Sequence, residues 1–352
     1  MKLANKAVDG IKPAKPWAKN SPANVIFKLI PSISPLVLAA VLVAATDLKG
    51  KIGFLLAWLL FTALFIITWP LIIKSKNARG ELFLQSLIAL SSLSFFLVIA
   101  WVFSSVLTPG IKAFTPSLFI GDGSTVEVDT PLNQGGLLHA LVGSIIVVGT
   151  ATVISVPFGI LSALYITEVR GKLVPYVRFF IQAMSGVPSI VAGLFVYAAL
   201  IVTQVIPYTG FTGSLALAIL MLPTVARTAE EVLRLVPDDL RNAALALGGT
   251  QVRTIFQVVL PSARAGLVTA VILGVARVAG ETAPLLLTAF GGNTVNLNPF
   301  EGTMATLPWF IFSQMALGTE NDVARAWFAA LTLLILVSIT FSLARVLNRK
   351  KF

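Results

Sequence analysis

"LHALVGSIIVVGTATVISVPFGILSALY", residues 138–165, contains no aspartate, glutamate, lysine or arginine. A helix of about 20 apolar residues crosses the hydrocarbon of a bilayer, and this stretch exceeds that length. Working outward, hydropathy read against length marks eight such stretches. They lie near 30–46, 52–73, 82–107, 138–165, 179–205, 211–227, 265–290 and 327–347. Of the 352 residues 57% are apolar and 12% charged, roughly half the charge of a soluble domain. The fold class that follows is an all-α polytopic membrane protein of about eight transmembrane helices. Pro31 and Pro35 shorten the usable part of the first stretch, and the lysine-rich residues before it also admit a signal peptide ending near Ala44–Thr46.

Loop charge orients this layout. The net charge is +11, which in a soluble protein would suggest nucleic acid. Here 21 of the 26 lysines and arginines fall in alternate segments: the N-terminal tail, the loops near 74–81, 166–178 and 227–264, and the C-terminal "RVLNRKKF". The opposite loops hold Lys49, Lys51, Lys112 and Arg325 against seven acids. Positively charged loops stay on the cytoplasmic side, so both termini are expected there, and no nucleic-acid partner is expected. Cysteine is absent and His139 is the only histidine. That removes thiolate chemistry, disulfides and most histidine-based catalysis or metal ligation. His139 is expected at the interface, at the outer end of its span.

Arg277 and Glu281 remain, inside "GVARVAGETAPLLLTAF" (274–290). An unpaired arginine at the bilayer centre costs about 2.5 kcal/mol or well above it. At i and i+4 on a continuous helix the two side chains share a face and can neutralise each other. Two readings stand. The pair pins helices together, or it is a polar station in a solute pathway, where the guanidinium fork suits an oxyanion. Gly280 permits close approach, and Pro284 weakens the helix one turn on. Arg227, at the cytoplasmic end of the sixth span with Glu230 and Glu231 beside it, is either a snorkelling topology anchor or an exit-side anion ligand. Ser189, after Pro188, offers a hydroxyl or freed backbone groups at a broken helix, although packing through Gly186 and Gly193 explains the stretch equally well.

The loop "RNAALALGGTQVRTIFQVVLP" (241–261) reads as two short helices joined at Gly248–Gly249 and closed by Pro261, with Pro237, Asp238 and Asp239 opening the first. Taken alone, this is an interfacial connector. Its spacing resembles the EAA loop of ABC-transporter permeases, with Ala243, Ala244, Gly248, Val258, Leu260 and Pro261 in register and Asn242 replacing the usual glutamate. In that family the loop docks into a cytoplasmic ATPase subunit.

With "GGLLHALVGS" (135–144), "VPSIVAGLFVY" (187–197), "LPTVARTAEEVLRLVP" (222–237) and "ARVAGETAPLLLTA" (276–289), residues 82–352 resemble the PstA-type permease subunit of the bacterial high-affinity phosphate importer. The resemblance implies a six-helix type I ABC importer core in the bacterial plasma membrane. It also implies a PstC-type second permease, two PstB-type ATPase subunits and a PstS-type phosphate-binding protein, besides surrounding lipid. Arg277, Glu281 and Arg227 match residues implicated in transport in that family.

The expected organisation is a basic cytoplasmic tail over 1–29, an additional transmembrane hairpin over 30–80, and a first core helix with an extracytoplasmic loop over 81–136. The permease core follows over 137–347, with the coupling loop at 238–261 and a basic tail over 348–352. No G-x-x-x-x-G-K-[ST] loop occurs, so the chain itself is not expected to hydrolyse ATP or to bind a cofactor; ATP and Mg act on the partner subunits. A permease for another anion or solute, and a proton-coupled secondary transporter using the Arg–Glu pair, are the alternatives.

Overall fold

The computed structural model describes residues 22–45, 51–72 and 76–349, and their secondary structure is helical apart from one isolated bridge between Phe290 and Met304. The chain divides into two units, Met1–Phe103 and Ser104–Phe352. In the first, α1 (Pro22–Ala45) packs on α2 (Lys51–Ile72), and α3 (Lys76–Lys112) begins. Ala39, Ala57 and the large Trp58 are buried in one cluster, with Leu36, Phe54 and Leu97 packed against it. Helix α1 runs through Pro31 and Pro35, and its apolar part, Ile33–Ala44, lies within the stretch near 30–46 that hydropathy marks. Each proline removes one ladder bond, a loss that transmembrane helices tolerate.

The second unit holds α4 (Leu138–Leu164, extended by a π-turn to Val169), α5 (Val174–Ser185), α6 (Ser189–Val196, extended by a π-turn to Ile201) and α7 (Gly210–Arg234). After these come α8 (Asp238–Ala246), α9 (Gln251–Thr254), α10 (Leu260–Ala279), α11 (Ala283–Thr288), α12 (Leu307–Leu317) and α13 (Glu320–Arg349). Among the described residues five stretches are long and apolar enough to cross a membrane: Ser94–Lys112, Leu138–Val169, Gly210–Arg234, Gln251–Ala279 and Glu320–Val346. A sixth arises if the bent pair Val174–Ser185 and Ser189–Ile201 is one span. The chain is therefore an all-helical polytopic membrane protein, with five or six such spans among the described residues, where hydropathy alone predicts eight over the whole chain.

The central packing is set by glycine. Val225 of α7 is fully buried, and a Cβ on Gly159 of α4 would come within 2.9 Å of it. One on Gly274 of α10 would come within 2.7 Å. Two glycines thus let α4 and α10 close on α7 from either side. Thr209 caps α7, its hydroxyl accepting from Thr212 N at 3.2 Å.

Two expected spans have other shapes. The stretch 179–205 is not one rod: α5 and α6 meet at 105°. Val187 precedes Pro188, and a residue before proline is pushed out of the α region; Pro188 itself sits at φ −59°, ψ 142°. The stretch 265–290 breaks after Ala279, where Gly280 ends α10 at φ −101°, ψ 4°, and Pro284 starts a new helix. Its start is also earlier than expected, because Pro261 does not end the preceding segment. The helix runs without interruption from Gln251 to Ala279, through a π-turn at Ile255–Val259 that takes up the disturbance before the proline.

The segment 113–137 is held to the start of α13 by a buried arginine. Arg325, 1% exposed, donates from Nη2 to the carbonyls of Thr130, Pro131 and Gln134 at 2.9, 2.8 and 3.0 Å. Asp322, wholly buried, lies 3.6 Å from its Nη1 and accepts from Asp129 N at 3.2 Å.

Candidate functional site

Arg277 sits in the last turn of α10 with an exposed side chain. Its Nη1 donates to Thr224 Oγ1 of α7 at 3.2 Å. Arg227 follows Thr224 by three residues on α7 and is exposed on the same side, with exposed Glu231 one turn on. Arg227 opens into a cleft of about 450 Å³ that Arg178 and Gln182 of α5 share with Glu230, Glu231 and Arg234 of α7. Glu230 accepts from Arg178 at 3.0 Å and also pairs with Arg234, which occupies that carboxylate. Among the described residues no carboxylate pairs with Arg227 or Arg277. A polar stripe thus runs down α7, with one guanidinium leaning on it from α10 and a second one turn along.

The expected Arg277–Glu281 pair is not made. Glu281 follows the helix end at Gly280, so the i, i+4 relation no longer places the two side chains on one face; Glu281 is half-buried, and Arg277 turns to Thr224 instead. Ser189 is the first residue of α6, half-buried, and its hydroxyl makes no hydrogen bond among the described residues. Gly193, by contrast, is a packing position: a Cβ there would fall 2.5 Å from Pro284 Cα, so α6 presses on α11 at that point. Gly186 meets only the Ala183 carbonyl, at 3.5 Å. His139, expected at an interface, is buried beside the Phe310 ring, with centroids 5.3 Å apart.

The 238–261 segment forms a helical hairpin. Pro237 precedes α8, Gly248 takes φ 83°, and a Cβ on Gly249 would meet the Ala244 carbonyl at 2.7 Å, so both glycines are needed for the turn. Thr250 caps α9 through Arg253 N at 3.3 Å. Asn242 and Ala243 are exposed, Ala244, Val258 and Leu260 half-buried, and Pro261 exposed. Asn242 makes no side-chain hydrogen bond among the described residues, and the charge of this segment sits one position earlier.

Arg241 uses all five of its N–H groups. Its Nε and Nη2 donate to the two oxygens of Glu168 at 3.0 and 2.8 Å, Nη2 also to Leu233 O at 2.9 Å, and Nη1 to Val236 O and to Asp238 Oδ1 at 3.1 Å. Glu168 is the principal cause of a raised Arg241 pKa, so this guanidinium stays charged.

Sequence reading passed over Thr224, Glu168, Arg241 and the Asp322–Arg325 pair. For Thr224 no signal existed, since its role depends on a partner 53 positions away. Asp322 and Arg325 carried one: acid and base at i, i+3 just before an apolar run.

Residues 155–352 match the family described as binding-protein-dependent transport system inner membrane component. The phosphate transport system permease protein PstA 1 of Mycobacterium tuberculosis (strain CDC 1551 / Oshkosh) is 43% identical over 216 residues, 61% of this chain and 71% of that one. PstA of Mycobacterium leprae is 39% identical over 270 residues, 76% and 86% of the two chains, and PstA of Pasteurella multocida 37% over 255 residues, 72% and 89%. A solved inward-facing MetNI methionine ABC transporter has a similar chain, with a TM-score of 0.48 and 20% identity over 61% of this chain and 93% of that one.

Proposed function

The chain belongs to the binding-protein-dependent transport inner membrane components, among them to the PstA-type phosphate permeases, and we propose that phosphate crosses it along the α7 stripe. It is the permease component of a phosphate ABC transport system, a multi-pass inner-membrane subunit and not an ATPase, and it works with ATPase and permease subunits. Beyond that, we infer that it forms half of the pathway with a PstC-type permease, that two PstB-type ATPases act on the hairpins, and that a PstS-type protein delivers phosphate from outside. ATP and Mg act on the ATPases alone. Both termini face the cytoplasm, following the basic loops, and α1 and α2 cross the bilayer to complete eight spans.

The observation that supports the path is the hydrogen bond from Arg277 to Thr224, with Arg227 one turn along the same exposed side. A charged guanidinium exposed to lipid carries a penalty of about 2.5 kcal/mol or more, so an exposed arginine at this depth belongs against a partner subunit or water. Arg277 replaces part of the hydration of phosphate while Thr224 keeps its fork in place. Arg227 receives the anion nearer the cytoplasm. Ser189 at the α5–α6 bend is a weaker candidate for the same path. Alternating access follows from ATP-driven closure of the ATPases, which opens the helices outward, and hydrolysis, which opens them inward.

Glu281, released from Arg277, can accept a hydrogen bond from protonated phosphate, which sulfate at neutral pH cannot offer. The test is labelled uptake into liposomes carrying the chain, its partner permease and the ATPase, with the binding protein outside. Wild type takes up phosphate. Glu281→Gln transports phosphate but loses about tenfold or more of its discrimination against sulfate, a hydrogen-bond effect in a closed site. Loss of transport with an unchanged ion preference removes that role from Glu281, and no uptake by wild type removes the phosphate path itself.

A further inference from the structure

We propose that Arg241 and Glu168 form the joint through which the helical hairpin moves α4 and α7 together. The inference rests on the reading above, in which the ATPase acts on α8 and α9. Helix α8 contributes no buried residue, so apolar packing cannot carry a push delivered to it. Between α8 and the end of α4 lies a cleft of about 500 Å³, lined by Thr167, Glu168 and Arg170 on one side and by Asp238, Asn242 and Leu245 on the other. Arg241 spans that cleft. It grips the Glu168 carboxylate at the end of α4 with two N–H groups, and two more reach the Leu233 and Val236 carbonyls at the end of α7.

A guanidinium in a planar fork resists both rotation and sliding, which a single-point ammonium does not. Side-chain exposures of 12% for Arg241 and 7% for Glu168 shield the pair from competing water. Glu168 also holds the second arm of the hairpin, its carbonyl accepting from Gln251 Nε2 at 2.6 Å. On that arm apolar packing assists, because Ile255 and Val259 share a core with Leu233, Val236 and Leu164. Displacement of α8 therefore reaches the end of α4 and the end of α7 through Arg241, and α7, carrying Thr224 and Arg227, moves with it.

The experiment uses the complete transporter in proteoliposomes and compares wild type, Arg241→Lys and Arg241→Ala for phosphate taken up per ATP hydrolysed. The Ala variant keeps ATP hydrolysis within about twofold of wild type while phosphate per ATP falls about tenfold, the size of loss expected when a coupling element is cut. The Lys variant, with three donors for five acceptor contacts, falls between. If wild type transports and the Ala variant keeps the wild-type ratio, whether or not both rates decline, the joint is overturned and the phosphate reading stands.

A second measurement does not depend on the substrate. Spin labels on Ala246 of α8 and Leu161 of α4, both exposed, report their separation in nucleotide-free and ATP-bound complex. With Arg241 in place the separation is the same in both states; in the Ala variant it changes with ATP. A separation that changes equally in wild type overturns the joint. Labels that behave as expected in a complex that takes up no phosphate overturn the substrate reading alone.

Discussion

Arg277→Gln lowers phosphate uptake by about 10- to 100-fold while ATP hydrolysis by the same complexes persists. The glutamine keeps length and one donor pair but loses the charge, and a hydrogen bond to a charged group is worth about 1.5–3 kcal/mol, which converts to that range of rates. ATP hydrolysis persists because Arg277 lies at the far end of the Gln251–Ala279 helix from the hairpin. Thr224→Val, which removes the acceptor that holds the fork, acts in the same direction with a smaller loss, and Thr224→Ser restores uptake. The check is labelled-phosphate uptake and phosphate release measured on one preparation. Undiminished uptake by Arg277→Gln would take Arg277 out of the path and leave Arg227 as the station to examine.

Arg325→Ala destabilises the chain by about 3–5 kcal/mol, the range for removing one partner of a buried charge pair. The substitution strands three carbonyls, those of Thr130, Pro131 and Gln134, together with the carboxylate of a fully buried Asp322. Segment 113–137 is then held to α13 by the packing of Leu118 and Phe119 on Phe328 and by Asn321, whose Nδ2 reaches Asp129 O and Oδ1 at 3.2 and 3.0 Å. Thermal unfolding of the purified complex reads the loss as a lower midpoint and poorer assembly. Replacing Asp322 and Arg325 together by leucines costs less than Arg325→Ala alone, because no bare charge stays buried. A single variant that melts with wild type would mean that the segment is held by packing and not by the arginine.

Both effects arise from charges that an oily chain retains, but the two arginines differ in how far the sequence foretold them. Arg277 was legible as a polar residue in an apolar run. Its partner was not: periodicity assigned Glu281, because an unbroken helix brings i and i+4 together. Gly280 and Pro284 break that helix, and both were visible in the sequence, yet their combined effect was read as weakening and not as termination. In the 179–205 stretch a break at Pro188 was legible, but hydropathy sums over a window and does not register the 105° change of direction there. Arg325 was counted as a loop charge because its neighbours in sequence are polar; its burial comes from a segment some 190 positions earlier.

What the sequence by itself determined is what depends on local composition. Apolar runs longer than a bilayer is thick impose helices, basic loops set an expected orientation, and the spacing around Gly248 and Gly249 dictates a hairpin with a positive φ at Gly248. What only the tertiary structure decided is which groups meet across elements. Thr224 faces Arg277, Arg241 joins the ends of α4 and α7, and Val225 settles between Gly159 and Gly274. A hydrogen bond needs its atoms within about 3 Å, and at that scale the turn of a helix by one residue, about 100°, selects a different partner.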